Sequence, residues 1–265
     1  SGSNIFAGTN NNGVYLSTNN GTSWTQTALN NREVLSLAIS DSNIFAGTSG
    51  YGVYLSTNNG TIWTQTALNN QYVNSLAISG SNIFAGTTHG VYLSTNNGTS
   101  WTQTALNNQV VGSLAISGSN IFAGAGSYGV YLSTNNGTSW TQTALENGGI
   151  LSLATSGSNI FAGTNGYGVY LSTNNGTSWT QTALNNQSVW SLAISGSNTF
   201  AGTDGYGVYL STNNGISWTQ TALNNQVVLS LAISGSNSFA GTDGYGVYLS
   251  TNNGTSWTQT ALNNG

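Results

Sequence analysis

The acid, base and cation chemistry open to this 265-residue chain rests on seven side chains: Glu33, Asp41, Glu146, Asp204 and Asp243, with Arg32 and His89. Glycoside cleavage needs two carboxyl groups facing each other across the scissile bond. The pair best placed by sequence is Asp204 and Asp243, each opening an Asp-Gly-Tyr-Gly segment. They are equivalent residues in successive near-copies, and Asp-Gly is a common turn dipeptide. That reads as duplication of a turn, so the chain is expected not to be an enzyme. With one His and no Cys there is no ligand set for structural zinc, and amide-rich loops with so few carboxylates are poor hosts for hard cations. No metal and no cofactor are expected. A single Arg with no Lys excludes a nucleic-acid-binding face, which is built mainly from basic side chains, and equally an anionic membrane surface. No apolar run is long enough to span a bilayer as a helix.

The remaining groups able to grip a ligand are aromatic. Tyr51, Tyr128, Tyr167, Tyr206 and Tyr245 each precede a Gly in a short loop, two of these loops also carrying Asp204 and Asp243. A second variable set adds Tyr72 and Trp190. One of its positions reads Glu33, Tyr72, Val110, Gly149, Ser188 and Val227, and two residues on it reads Leu35, Asn74, Gly112, Leu151, Trp190 and Leu229. A separation of two puts both on one side of an extended strand. Tyr among Gly, Ser and Asn is the composition of adaptable binding loops, and aromatic rings beside amides suit the faces of sugars. Two bland readings stand beside this one: drift in loops that tolerate change, and a Tyr that packs between repeats.

These residues are positioned by a repeat. The octet Ser17-Thr18-Asn19-Asn20-Gly21-Thr22-Ser23-Trp24 returns from Ser56, Ser94, Ser133, Ser172, Ser211 and Ser250, at a spacing of 39 residues with one step of 38. Within the third unit four short segments rich in β-branched and aromatic residues stand out: A (75–79), B (82–87), C (91–95) and D (101–106). Clusters of Gly, Asn and Ser punctuate them, which predicts four strands per unit and no helix. Four strands in about 40 residues is the signature of a propeller blade. The predicted fold is therefore all-β: a seven-bladed β-propeller of four antiparallel strands per blade, in one domain over residues 1–265. The sequence opens within a B segment and holds seven copies of B, C and D but six of A. One blade is thus expected to lack its inner strand, and self-association through that blade is an expected consequence. In an up-and-down blade the D–A and B–C connections emerge together, so both variable sets are predicted at one end of the strands. The charged fraction of 2%, against about 25% in ordinary globular proteins, and the absence of Lys, Cys, Met and Pro fit a secreted or cell-surface protein, or an engineered or recently amplified one.

The octet resembles the Asp-box, or bacterial neuraminidase repeat, of pattern Ser/Thr-x-Asp/Asn-x-Gly-x-x-Trp/Phe. The matched residues are Asn19, Gly21 and Trp24, then Asn58 with Trp63, Asn96 with Trp101, Asn135 with Trp140, Asn174 with Trp179, Asn213 with Trp218, and Asn252 with Trp257. Asn stands throughout where that family often has Asp. The resemblance implies that each octet forms the hairpin between the third and fourth strands of a blade, remote from any active site. Sialidases of that family hold the substrate carboxylate with an Arg cluster, and the family also contains a seven-bladed photosystem assembly factor that carries clustered Arg on its partner-binding face. Arg32 alone reproduces neither. The expected function is non-catalytic recognition of a glycan or protein ligand, lectin-like, through the variable loops. A structural repeat scaffold without a ligand is the alternative, with a glycoside hydrolase behind it.

Overall fold

The computed structural model describes residues 4–146 and 148–263, so the two ends of the expected single domain, and Asn147, lie outside the described residues. Every regular element is a β-strand. The first sheet holds β1 (Ile5–Gly8), β2 (Val14–Ser17) and β3 (Thr25–Gln26), and the second β4 (Val34–Ser40), β5 (Asn43–Thr48), β6 (Gly52–Ser56) and β7 (Thr64–Gln65). The third is β8 (Val73–Ser79), β9 (Asn82–Thr87), β10 (Gly90–Ser94) and β11 (Thr102–Gln103); the fourth is β12 (Ser113–Ser117), β13 (Asn120–Gly124), β14 (Val130–Ser133) and β15 (Thr141–Gln142). The fifth is β16 (Ile150–Ser156), β17 (Asn159–Thr164), β18 (Val169–Ser172) and β19 (Thr180–Gln181). The sixth is β20 (Val189–Ser195), β21 (Asn198–Thr203), β22 (Val208–Ser211) and β23 (Thr219–Gln220), and the last is β24 (Val228–Ser234), β25 (Asn237–Thr242), β26 (Gly246–Ser250) and β27 (Thr258–Gln259). Sequential antiparallel order within seven such sheets is that of a seven-bladed β-propeller, and the first blade has three strands among the described residues. The chain packs as two compact units, Ser1–Ala125 with Leu132–Thr141, and Gly126–Tyr131 with Gln142–Asn264.

The second strand of a blade reads Asn-Ile-Phe-Ala-Gly-Thr with few departures, and in β5, β9 and β17 all but the leading Asn are buried. Both faces of this strand are covered, hence a near-continuous apolar run rather than alternation. Its Phe joins neighbouring blades. Phe45 packs with Val73, Ile83 and Ala85 of the following blade, and Phe161 with Val189 and Ala201. The D segments depart from expectation: β11 covers Thr102–Gln103 only, although six residues have strand-like character. Thr104 N–H still donates to Val91 O of β10 (2.8 Å), and the chain then leaves that strand: Ala105 N–H donates to Gly137 O of the next octet (3.2 Å). A second departure lies at the start of the first strands. The register shifts between Val34 and Ser36, and likewise at β8, β16, β20 and β24. Leu35 and its counterparts are thus extra, unladdered residues, not members of a regular alternation with Glu33.

Each octet is closed by its own side chains. In the fifth blade Ser172 Oγ donates to Asn174 Oδ1 (3.0 Å) and accepts from Gly176 N–H (2.8 Å). Ser178 N–H donates to Asn174 Oδ1 (2.9 Å), and Asn174 Nδ2 donates to Ser178 Oγ (2.9 Å). Two successive residues are left-handed, Asn175 (φ 55°) and Gly176 (φ 82°), so the second Asn of the octet shares the conformational burden expected of Gly alone. The Trp at its end links blades. Trp63, Trp101, Trp140, Trp179, Trp218 and Trp257 donate Nε1–H to Thr27, Thr66, Thr104, Thr143, Thr182 and Thr221 of the preceding repeat, at 3.1 to 3.2 Å.

Thr199 stands where Ile44, Ile83, Ile121 and Ile160 are buried in other blades; it is 1% exposed, and its hydroxyl has no hydrogen-bond partner. A buried unpaired hydroxyl costs about 1–3 kcal/mol. Thr199→Ile is therefore expected to stabilise the fold by about 1–2 kcal/mol, read as a higher urea midpoint at unchanged slope. An unmoved or lower midpoint refutes the equivalence of this site with its isoleucine counterparts.

Candidate functional site

In four blades the two variable sets meet at the same end. Asp204 N–H donates to Ser188 O (3.1 Å), Asp243 N–H to Val227 O (3.0 Å), Asn165 N–H to Gly149 O (3.0 Å) and Ser49 N–H to Glu33 O (3.1 Å). Each bond joins the opening residue of a B–C loop to the variable residue ahead of the first strand of the same blade. The connection before the first strand also reaches the previous blade: Gly52 N–H donates to Gln71 O (2.9 Å), Gly168 N–H to Gln187 O (2.8 Å) and Gly207 N–H to Gln226 O (2.9 Å). The clustering expected from the blade topology is thus realised through backbone bonds.

In the first unit the cluster comprises Arg32, Tyr51, Tyr72 and His89. The Arg32 guanidinium carbon lies 4.0 Å from the centroid of the Tyr51 ring, a cation–π contact, and Arg32 Nε donates to Tyr54 Oη at 3.4 Å. The lone cation of the chain is therefore spent on an aromatic face. The Tyr72 ring lies over Gly50, whose added Cβ would meet the Tyr72 Cζ at 3.6 Å. His89 is a polar loop residue, its Nδ1 3.0 Å from Gln71 Oε1 and 3.1 Å from Thr88 Oγ1. A shallow groove of about 350 Å³ runs beside this cluster, lined by Leu29, Arg32, Tyr54, Ile62 and Trp63 among others.

In the second unit stand Tyr128, Tyr167, Trp190, Asp204, Tyr206, Asp243 and Tyr245. Tyr167 is 60% exposed and Trp190 40%, with Tyr128, Tyr206 and Tyr245 comparably open; Tyr51 in the first unit is 49% exposed. None of these rings is buried. Asp204 and Asp243 are exposed in the loops of different blades, and no group of three or more His, Asp or Glu assembles among the described residues.

A residue class that sequence reasoning missed holds these loops in place. Gln65 Nε2 donates to Tyr51 O (2.8 Å), Gln142 to Tyr128 O (2.8 Å), Gln181 to Tyr167 O (2.8 Å), Gln220 to Tyr206 O (2.8 Å) and Gln259 to Tyr245 O (2.7 Å). Gln26 and Gln103 do the same for Asn12 O and His89 O. The signal was present in the sequence: the same Gln in every outer strand, fourteen residues after the loop residue it holds, at an exposed position. The carbonyl is tied down and the ring is left in solvent.

No family model and no curated protein matches this chain. Solved structures share its fold. The extracellular domain of BT4673 from B. thetaiotaomicron is 22% identical at a TM-score of 0.77, over 94% of this chain and 37% of that one. YCF48 bound to D1 peptide is 13% identical at a TM-score of 0.71, over 91% and 85%. The computationally designed Ika8 protein is 12% identical at a TM-score of 0.73, over 94% and 80%. At these identities the likeness extends to the β-propeller fold.

Proposed function

We propose that this chain is a non-catalytic recognition propeller of the Asp-box type, lectin-like in its contacts, which engages ligand through Tyr51, Tyr128, Tyr167, Tyr206 and Tyr245 with Tyr72 and Trp190 beside them. One observation carries the reading: a solvent-exposed Tyr recurs on loops whose backbone is clamped by Gln. A large ring that the fold does not bury is a contact surface in waiting, and a fixed loop lowers the ordering cost of binding. Similar loops on successive blades would turn weak single contacts into avidity. The Asp-box assignment rests on the octet, whose Ser, Asn, Gly and Trp each have a role in the turn or in joining blades.

Glycan-array or pull-down binding is expected to fall at least tenfold when Tyr51, Tyr167, Tyr206 and Tyr245 are replaced together by Ala, with the far-ultraviolet spectrum unchanged. Binding retained by the folded variant sinks the site. No turnover of chromogenic glycosides is expected; turnover abolished by Asp204→Asn with Asp243→Asn would make the chain a hydrolase. The near-identity of the repeats favours a second reading, a scaffold with no ligand, which a broad screen without hits on a thermally robust protein supports.

A further inference from the structure

We propose that Asn165 is a site of covalent self-modification, its side-chain amide lost as ammonia through a cyclic imide with Gly166, and that the fold withholds this chemistry from the Asn-Gly pair of every octet. Asn followed by Gly is open to this reaction because Gly has no side chain to hinder attack by its own nitrogen, one root of the thermal lability of Asn. Nine Asn-Gly pairs lie wholly within the described residues: seven in the octets, one at Asn12 and one at Asn165. The pairs at Asn147 and Asn264 begin outside them. What separates the nine is the partner of the glycine nitrogen. In all seven octets the Gly N–H donates to the Ser Oγ four residues earlier, at 2.8 to 2.9 Å, and the Gly is buried. The Asn before it is left-handed, with φ of 53° to 56°. Swinging that nitrogen onto the Asn side chain would strand a buried donor. Gly13 N–H is likewise taken, by Arg32 O (2.9 Å).

Gly166 differs on each count. Its N–H has no hydrogen-bond partner among the described residues. It is exposed, and nothing lies within 4 Å of where a Cβ would stand. Asn165 is exposed as well. Ser188 Oγ donates to Asn165 Oδ1 (3.0 Å), so a donor already sits on the oxygen that turns negative as the nitrogen attacks. In the reaction Gly166 N gives its proton to solvent base and bonds to Asn165 Cγ. The Cγ–Nδ2 bond breaks, and Nδ2 takes up a proton and leaves as ammonia. One water then opens the imide. Cleavage at Cγ restores the main chain and leaves Asp; cleavage at the backbone carbonyl leaves isoaspartate, with the main chain running through Cβ and Cγ. The first product turns the Asn-Gly-Tyr-Gly loop into the Asp-Gly-Tyr-Gly present at Asp204 and Asp243. The second lengthens the main chain by a methylene ahead of Tyr167, whose carbonyl Gln181 holds at 2.8 Å. Either adds a negative charge to a formal net of −4.

The test holds the whole folded protein in mildly alkaline buffer and samples it by chymotryptic peptide mapping, which isolates residues 162–167. Mass spectrometry reads the exchange of amide for acid, and an isoaspartate assay separates the two products. Asn165 is expected to convert at least roughly tenfold faster than any octet Asn, and the octet pairs should catch up in urea-unfolded chain. Ser188→Ala should slow Asn165 by about twofold to tenfold, the reach of one hydrogen bond. Ser172→Ala should speed Asn175 and leave Asn20 as slow as before. The proposal is overturned if Asn165 keeps its amide while a free peptide copying residues 162–170 is consumed, or if octet Asn residues of the folded protein convert at the same rate as Asn165. No ligand enters the measurement, so failure of the recognition reading would leave this result untouched.

Discussion

Replacing Gly168 by Ala is expected to destabilise the protein by about 3 kcal/mol or more, while Gly166→Ala, two residues away on the other side of Tyr167, costs about 1 kcal/mol. Both glycines have positive φ, 70° and 81°, so backbone strain alone predicts similar effects. Their surroundings differ. A Cβ on Gly168 would overlap the Leu184 carbonyl oxygen and sit 2.7 Å from the Asn185 Cα, whereas nothing lies within 4 Å of one on Gly166. The obstructing atoms are backbone and cannot rotate away. Gly168 is also pinned on both sides, donating to Gln187 O (2.8 Å) and accepting at its carbonyl from Thr164 N–H (2.9 Å) and Oγ1 (2.8 Å). Relief would require the exit of the outer strand to move, taking the Tyr167 loop with it. Denaturant titration of the two variants side by side decides the matter, and equal losses would show that strain rather than overlap sets the cost.

Phe161→Ala is expected to lose about 3–5 kcal/mol, the range for a fully buried Phe reduced to Ala. The ring is 0% exposed and packs with Val169, Leu184, Val189 and Ala201, with Leu192 and Trp218 against the same cluster. Four of those six partners, Val189, Ala201, Leu192 and Trp218, belong to the following blade. A Cβ on Gly215 of the next octet would stand 3.2 Å from the Phe161 ring, so the turn is seated directly on it. The cavity would open between blades, where rigid sheets have little freedom to close in, which places the expected loss toward the upper end. Phe161→Leu, keeping most of the volume, should lose about 1 kcal/mol. If the two variants lose equally little, the neighbouring sheets close together and inter-blade packing is softer than described.

Much of the architecture was legible because each repeat repeats its instructions. The Asn-Ile-Phe-Ala-Gly-Thr run reads as a strand buried on both faces, and β5, β9 and β17 have that burial. The Ser, Asn and Gly of the octet read as a turn, and Asn174 closes one within five residues. Features that depend on another repeat were harder to see. The outer strand is cut to Thr102–Gln103 because Ala105 bonds to Gly137, more than thirty residues on. The shift at Val34–Ser36 is set by pairing with β5, and no local pattern marks it.

The sequence by itself determined the period, the strands of the blade and the chemistry of the octet, since these rest on local conformational preference and on an apolar pattern repeated at fixed spacing. It also determined where variation is allowed. Tertiary structure alone decided what that variation does. Whether the Tyr of Gly-Tyr-Gly is buried between blades or faces solvent depends on the space left by the neighbouring blade; in the fold the Tyr167 ring is exposed, and Gln181 holds its carbonyl across fourteen residues. Arg32 could have served an anion; the position of Tyr51 4.0 Å away commits it to an aromatic face.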